Sequence, residues 1–337
     1  MKPVPFDYHL PRSVDEALEL LRGPRPRPVP LAGGQSLVPL LNLRAVRPTA
    51  VLDLNRVPGL DGIEIGERGV RVGAMTRLST LEHSAPLAEA LPVLPATAAR
   101  VAHPQIRHRA TLGGTLCQAD PAGQLSTVAL ALGAELTLRS VSGTRTVAAT
   151  EFFTGAGTTA LRAGELLTGI TFPRDPLARH HFTSVTRRGG GGLPLAGLCA
   201  TVVLDGTVAT RLTLAASGVA DRPLRLYAAE RALTGAHLRP AHPDGTGART
   251  GGGIRTGTGT DAGATHADRG ASPLVRDPFD FVPDPARAAE VRAALDADTD
   301  PPSDQHGDAA YRAHLLRVLL RRALTALTAP TPDGGPR

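Results

Sequence analysis

The sequence predicts an α+β fold of three lobes, and three observations carry the prediction. Short apolar runs flanked by glycine and proline recur, such as AVLDL at 50–54 and GELLTGITFP at 164–173, and runs of this kind read as strands. Amphipathic segments with helical spacing lie between them. From 184 to 220 the chain instead alternates through several turn signals, the pattern of an antiparallel sheet. A chain of 337 residues is long enough for two domains, or for one domain with lobes.

The elements follow in order. SVDEALELLR at 13–22 opens with a Ser N-cap and Glu16 three positions on, then Val14, Ala17, Leu18 and Leu21 recur on one face, so a short helix is expected. A strand near 29–32 leads into a glycine pair. Ser36 is expected to cap a turn of helix through LVPLLNLR, although Pro39 limits it to the first turn. Residues 50–54 read as a buried strand, and VPGLDGIEIGERGVRVGAMTRL as two short strands around a GERG turn. STLEHSAPLAEALPVLPATAARVA is helical with proline interruptions. A helix at 125–133 precedes strands at 134–139 and 164–173. After the antiparallel strands, 223–235 reads as a helix, and AAYRAHLLRVLLRRALT at 309–325 as a strong one with a leucine face. Between them, 236–276 is Gly, Thr, Ala, Asp and Arg with almost nothing to bury, and is expected to be a mobile insertion. The tail from 328 is rich in Pro and Gly and expected to fray.

Composition removes several classes of function. Hydrophobic residues are 42% of the chain but aromatics only 3%, with no Trp, so the cores must be built from Leu, Val and Ala. No run of 18 apolar residues suggests a membrane span, and MKPVPFDYHLPRS has no signal-peptide core, so a cytoplasmic protein is expected. The net charge of +6 comes from scattered arginines without a basic stripe or interleaved aromatics, which argues against nucleic acid. Lys2 is the only lysine, which excludes a Walker A loop and a Schiff-base enzyme. Two distant cysteines, Cys117 and Cys199, cannot hold a four-cysteine cluster or a structural zinc.

What remains is a pair of glycine stretches about eighty residues apart: LAGGQSLVPLLNLR at 31–44 and ATLGGTLCQADPAG at 110–123. Glycine lets backbone approach a ligand closely, and successive N–H groups can form a concave nest for anionic oxygens. A diphosphate is the ligand that such a nest suits best. Gly33, Gly34, Gln35 and Ser36 offer one row; Thr111, Gly113, Gly114 and Thr115 offer a second. Either stretch alone also reads as an ordinary turn.

On these two stretches, AGGQSLVPLLNLR and QIRHRATLGGTLCQADP, the chain resembles the flavoprotein (medium) subunits of the molybdenum hydroxylases, the xanthine dehydrogenase and carbon monoxide dehydrogenase family. In that family the first loop reads AGGxS followed by LxPxLNLR, and the second reads QIRNxxTIGGN followed by an ADP-type turn. VLDLNRVPGL, VGAMTR, GELLTGITFP, RPLRLYAAERALTG and YRAHLLRVLLRRAL match in the same manner, so the resemblance covers nearly the whole chain apart from 236–276. It implies a two-lobed FAD-binding domain of PCMH type at 1–173, with lobes of about 1–55 and 56–173. A C-terminal lobe of antiparallel sheet plus helices follows at 174–330. It implies FAD held between the lobes by Ala32, Gly33, Gly34, Gln35 and Ser36 on one side and Thr111, Gly113, Gly114 and Thr115 on the other, with Leu167 on the flavin side. The chain departs from the pattern at Thr115, where the family has Asn, at Gln124, where an Asp usually bonds FAD hydroxyls, and at Thr186, in the place of a common lysine. Gln124 can still accept and donate, and Arg187 or Arg188 could supply the missing positive charge.

The function so implied is electron transfer: from a molybdopterin-binding large subunit, through a [2Fe–2S] small subunit, to FAD, and on to NAD or another acceptor. No triad or carboxylate pair is apparent, which suits a cofactor-placing role. Two other readings stay open: a free-standing FAD oxidoreductase of related fold, and a scaffold that has lost its flavin. Among single residues, Arg107 is expected to brace a loop, Asp120 to make a turn, Cys117 to be a buried thiol, and His180–His181 to lack the partners of a metal site. The run GGGG at 189–192 could permit movement or merely link strands.

Overall fold

The computed structural model of the chain describes residues 2–24, 26–186, 192, 194–238 and 279–329. The greater part of the expected insertion, Arg187, Arg188, most of the GGGG run and the tail beyond 329 lie outside the described residues.

The first lobe runs β1 (Asp7–His9), α1 (Val14–Arg22), β2 (Val29–Leu31), α2 (Leu37–Asn42) and β3 (Ala50–Asp53). Its sheet has order β1-β3-β2, with both outer strands parallel to β3. β3 is buried along its whole length, so a continuous apolar run reads correctly as a central strand. The α1 prediction holds: Ser13 Oγ accepts from Glu16 N at 3.1 Å, and Ala17, Leu18 and Leu21 are buried. The α2 cap does not form. Ser36 already has helical dihedrals and its hydroxyl makes no capping bond.

The second lobe holds β4 (Ile63–Ile65), β5 (Gly69–Gly73), α3 (Leu78–Glu82), α4 (Ala85–Ala90), α5 (Val93–Ala98), α6 (Pro104–Arg107), α7 (Leu112–Gln118) and α8 (Gln124–Ala131). Then come β6 (Glu135–Ser140), β7 (Gly143–Ala148), α9 (Ala149–Phe152), β8 (Phe153–Gly155), β9 (Thr158–Thr159) and β10 (Leu166–Pro173). Its main sheet, β4-β5-β10-β6-β7, is antiparallel throughout. β10 pairs on both sides and therefore sits at the centre, which explains the apolar run LLTGITF.

The third lobe contains β11 (Arg179–Thr186), β12 (Pro194–Asp205), β13 (Val208–Ser217), β14 (Leu224–Arg225), α10 (Tyr227–Leu233), α11 (Pro285–Asp298) and α12 (Ala309–Thr328). The four strands form an antiparallel sheet in chain order, as the alternation predicted. Leu315, Leu316, Leu319, Leu320 and Leu324 of α12 are buried in its core with Leu238 and Phe279, the residues that flank the undescribed segment. The α+β architecture is thus as expected. Among the described residues no helix is long and apolar enough to cross a membrane.

The lobes are not separate bodies. Met75 and Leu166 of the second lobe complete the core of the first. Phe182, Cys199 and Ala215 of the third sheet complete the core of the second, where α8 lies fully buried.

Candidate cofactor site

The two glycine stretches meet. A cavity of about 380 Å³ is lined by Ala32, Gly33, Gly34, Gln35 and Ser36 from the first and by Thr111, Gly113, Gly114 and Thr115 from the second. Leu37, Leu40, Leu54, Met75, Leu166 and Leu167 supply apolar walls. The segments are close enough that a Cβ on Gly114 would lie 3.3 Å from the Ala32 Cβ.

The glycines are there for a reason the sequence did not reveal. A Cβ at Gly33 would collide with the Arg109 carbonyl and with Ala110 Cα, and one at Gly113 would lie 2.6 Å from the Ala74 Cβ. Both positions let protein backbone meet protein backbone. Gly34 has φ of +75°, so the bend itself selects glycine. Gly33 closes the first lobe on the second, Gly113 lets α7 seat against Ala74 within the second, and the cavity lies beside that closure.

The two rows of N–H groups also differ. In the second stretch Leu112 N donates to Thr76 O (2.9 Å) and Gly113 N to Ala74 O (2.8 Å). Gly114 N donates to Thr111 Oγ1 (3.1 Å) and Thr115 N to Thr111 O (3.0 Å). The expected second nest is therefore already committed to the protein, and this segment contributes wall. In the first loop no protein acceptor among the described residues takes the N–H groups of Gly33, Gly34, Gln35 or Ser36. With the uncapped Ser36 hydroxyl they make one row of open donors.

Charge is arranged to leave that row unopposed. Glu165 lines the cavity, but Arg145 grips it with bonds of 2.7 and 2.8 Å and Arg162 N adds another at 2.7 Å. The Arg145 bonds, outweighing burial, hold its carboxyl below the usual range. Cys117 lines the cavity too, and burial pushes its thiol up to about 12, so it stays protonated.

A side-chain network that the sequence did not disclose ties the loops together. Asn55 Nδ2 donates to Ala32 O at 2.9 Å and also to Asp53 Oδ1, which accepts from Asn55 N at 2.9 Å as well. Asp53 Oδ2 accepts from the Tyr8 hydroxyl. Arg77 donates to Asn55 Oδ1 through one Nη and to Arg109 O through the other. Burial alone would raise the Asp53 carboxyl, but Tyr8, both Asn55 donors and the Arg77 charge leave it below its ordinary value. The available signal was the polar pair ending the strand run in VLDLN, which read as a strand end.

The remaining candidates fall elsewhere. Gln124 is buried at the start of α8 and does not line the cavity; its Oε1 has no partner among the described residues. Thr186 ends β11, also away from the cavity lining. Arg107 braces a loop as expected, binding Glu82 at 2.7 and 2.9 Å and the carbonyls of Val101 and Ala102. Asp120 makes a turn through Ala122 N at 2.8 Å. Burial lowers His180 to about 4, and its Nδ1 meets Thr201 Oγ1. Among the described residues no cluster of three or more His, Cys, Asp or Glu side chains could hold a metal.

Comparison with known proteins follows the same lines. The family described as FAD binding domain in molybdopterin dehydrogenase matches residues 4–175. The chain is 30% identical to the glyceraldehyde dehydrogenase medium chain of Sulfolobus acidocaldarius, over 96% of this chain and 98% of that one. It is 31% identical to the carbon monoxide dehydrogenase medium chain of Afipia carboxidovorans, over 96% and 97%. Among solved structures it matches a carbon monoxide dehydrogenase from Hydrogenophaga pseudoflava with TM-score 0.80 and 29% identity, covering 97% of this chain and 98% of that one.

Proposed function

The chain belongs to the family of FAD-binding domains in molybdopterin dehydrogenases, and from that premise we propose that it holds FAD between its first two lobes as the flavin-bearing medium subunit of a molybdenum-dependent dehydrogenase. The observation that carries this reading is the row of open backbone donors at Gly33–Ser36 facing a largely apolar cavity.

The residues present fit the cofactor. Four N–H groups in sequence and one hydroxyl suit the oxygens of a diphosphate, and no Arg or Lys is needed beside them because aligned peptide dipoles supply the positive field. Leu37, Leu40, Leu54, Met75, Leu166 and Leu167 exclude water and give planar rings an apolar surface. Arg145 neutralises Glu165, the one carboxylate on the wall among the described residues, so it does not repel phosphate. When bound, the flavin supplies the redox chemistry. The chain orients it and shields it from water. Among the described residues, the side chains lining the cavity that can titrate are Glu165, which is paired, and Cys117, whose thiol is held neutral.

On this reading the electrons arrive from a [2Fe–2S] small subunit, which draws them from a molybdopterin-binding large subunit, and leave to NAD or another acceptor. The partners are required because two cysteines in the chain cannot supply four thiolates to a cluster. Relatives named as medium chains support the same division of labour.

The purified protein should show flavin bands in its visible spectrum that are released on denaturation. Ser36→Ala, which removes a hydroxyl that caps nothing, should raise the FAD Kd about tenfold without moving the melting of the apoprotein. A wild-type protein that neither carries FAD nor takes it up overturns the proposal. Co-purification with a cysteine-rich small chain and a large chain tests the partners; full dehydrogenase activity from this chain alone would favour a free-standing enzyme.

A further inference from the structure

We propose that Asn55 and Arg77 are positioning residues that set the peptide orientation of the donor loop; the inference rests on the FAD reading above. Asn55 Nδ2 holds the Ala32 carbonyl at 2.9 Å. The Ala32–Gly33 peptide is planar and trans, so a carbonyl fixed on the Asn55 side turns the Gly33 N–H to the opposite side. Gly33 is the first member of the open row. Among the described residues the Asn55 bond is the only hydrogen bond to this carbonyl, and Gly33 has no Cβ to limit its own φ and ψ.

Asn55 is itself held. Its backbone and side-chain N–H groups both reach Asp53 Oδ1, and its Oδ1 accepts from Arg77. Tyr8 and Arg77 lie on different lobes, and the chain Tyr8–Asp53–Asn55–Arg77 joins them. Arg77 continues to the Arg109 carbonyl, the same group that the absent Gly33 side chain would strike. One network thus fixes both sides of the contact between the two glycine stretches, and it does so through residues that make no direct use of the cavity's donors. Pre-organisation of this kind lowers the cost of ordering the loop on binding.

The test is an FAD titration by flavin fluorescence at a temperature well below the melting of each apoprotein. Asn55→Ala and Arg77→Met should each raise the Kd about tenfold. The double variant should be no more than about twofold weaker than the worse single one, because both act through one clasp. Should Asn55→Ala not fold, Asn55→Ser, which also loses the amide donor, is judged by the same criterion. A Kd within twofold of wild type in the Asn55 variant, even with a lowered apoprotein Tm, overturns the proposal, since that is the signature of a structural brace. Fully multiplicative effects in the double variant overturn the single clasp. Failure of the wild type to bind FAD would instead overturn the functional reading.

Discussion

Gly33 carries no side chain because the Arg109 carbonyl and Ala110 occupy the space one would need. Gly33→Ala should therefore force the two lobes apart locally and cost about 1–3 kcal/mol, the usual range for overpacking. Thermal unfolding of the apoprotein measures it; a melting temperature equal to wild type would show that the loops part without penalty. Gly34 answers to a different constraint, its φ of +75°, so any side chain there strains the bend before any ligand is considered. This makes Gly34→Val a poor probe of phosphate contact and Ser36→Ala a better one. That the two glycine stretches belong together was legible from their flanks, AGGQSLVPLLNLR and QIRHRATLGGTLCQADP, which carry the family resemblance, and both line one cavity. Their physical cause was not, because a sequence cannot say whether backbone will approach a ligand or other backbone. Asn55 and Arg77 were illegible for a related reason: each looks like a polar residue at a strand end or loop, and the bonds that matter span 23 and 32 residues.

At the scale of elements, Glu82 ends α3 and Arg107 ends α6, and their bidentate contact ties two short helices together. Breaking it by Arg107→Met should cost about 2–3 kcal/mol, as for other hydrogen bonds to charged groups. The Arg107 bond, more than the opposing effect of burial, holds the Glu82 carboxyl below its ordinary value. A carboxyl lowered on folding stabilises the native state fully above its unfolded pKa, near 4.3, and loses that contribution as pH falls through the folded value. Asp53 and Glu165 are lowered likewise. Urea midpoints should thus be level at neutral pH and drop below about pH 4.3, with a shallower drop in Glu82→Gln. Most long elements were legible from period and caps, α12 above all. Those missed include α6, α7, α9 and the strands β7, β8 and β9, as well as β1, three residues whose strand character comes only from pairing with β3, and α11, whose burial is confined to Val291 and Leu295. With only two buried positions in fourteen residues, α11 carries no apolar stripe to find.

At the scale of the molecule, the cavity lies where the first lobe meets the second, so a ligand that fills it should add to the contact between them. FAD at a hundred times its Kd should stabilise the folded protein by about 2.7 kcal/mol, seen as a rise in Tm; no rise would mean that binding is unlinked to folding. That the chain forms successive sheets was legible because each stretch has its own pattern of runs and turns. Their fusion was not. α8 is buried along all eight residues, and three residues of the third sheet share its core. A chimaera that grafts the C-terminal lobe of a relative at the tempting linker after Pro173 would join foreign β12 and β13 to native α8, and should be insoluble. One whose seam also carries the relative's α8 across should express as a soluble chain. Recombination among such subunits would then trade pieces along a packing surface and leave the visible loop alone.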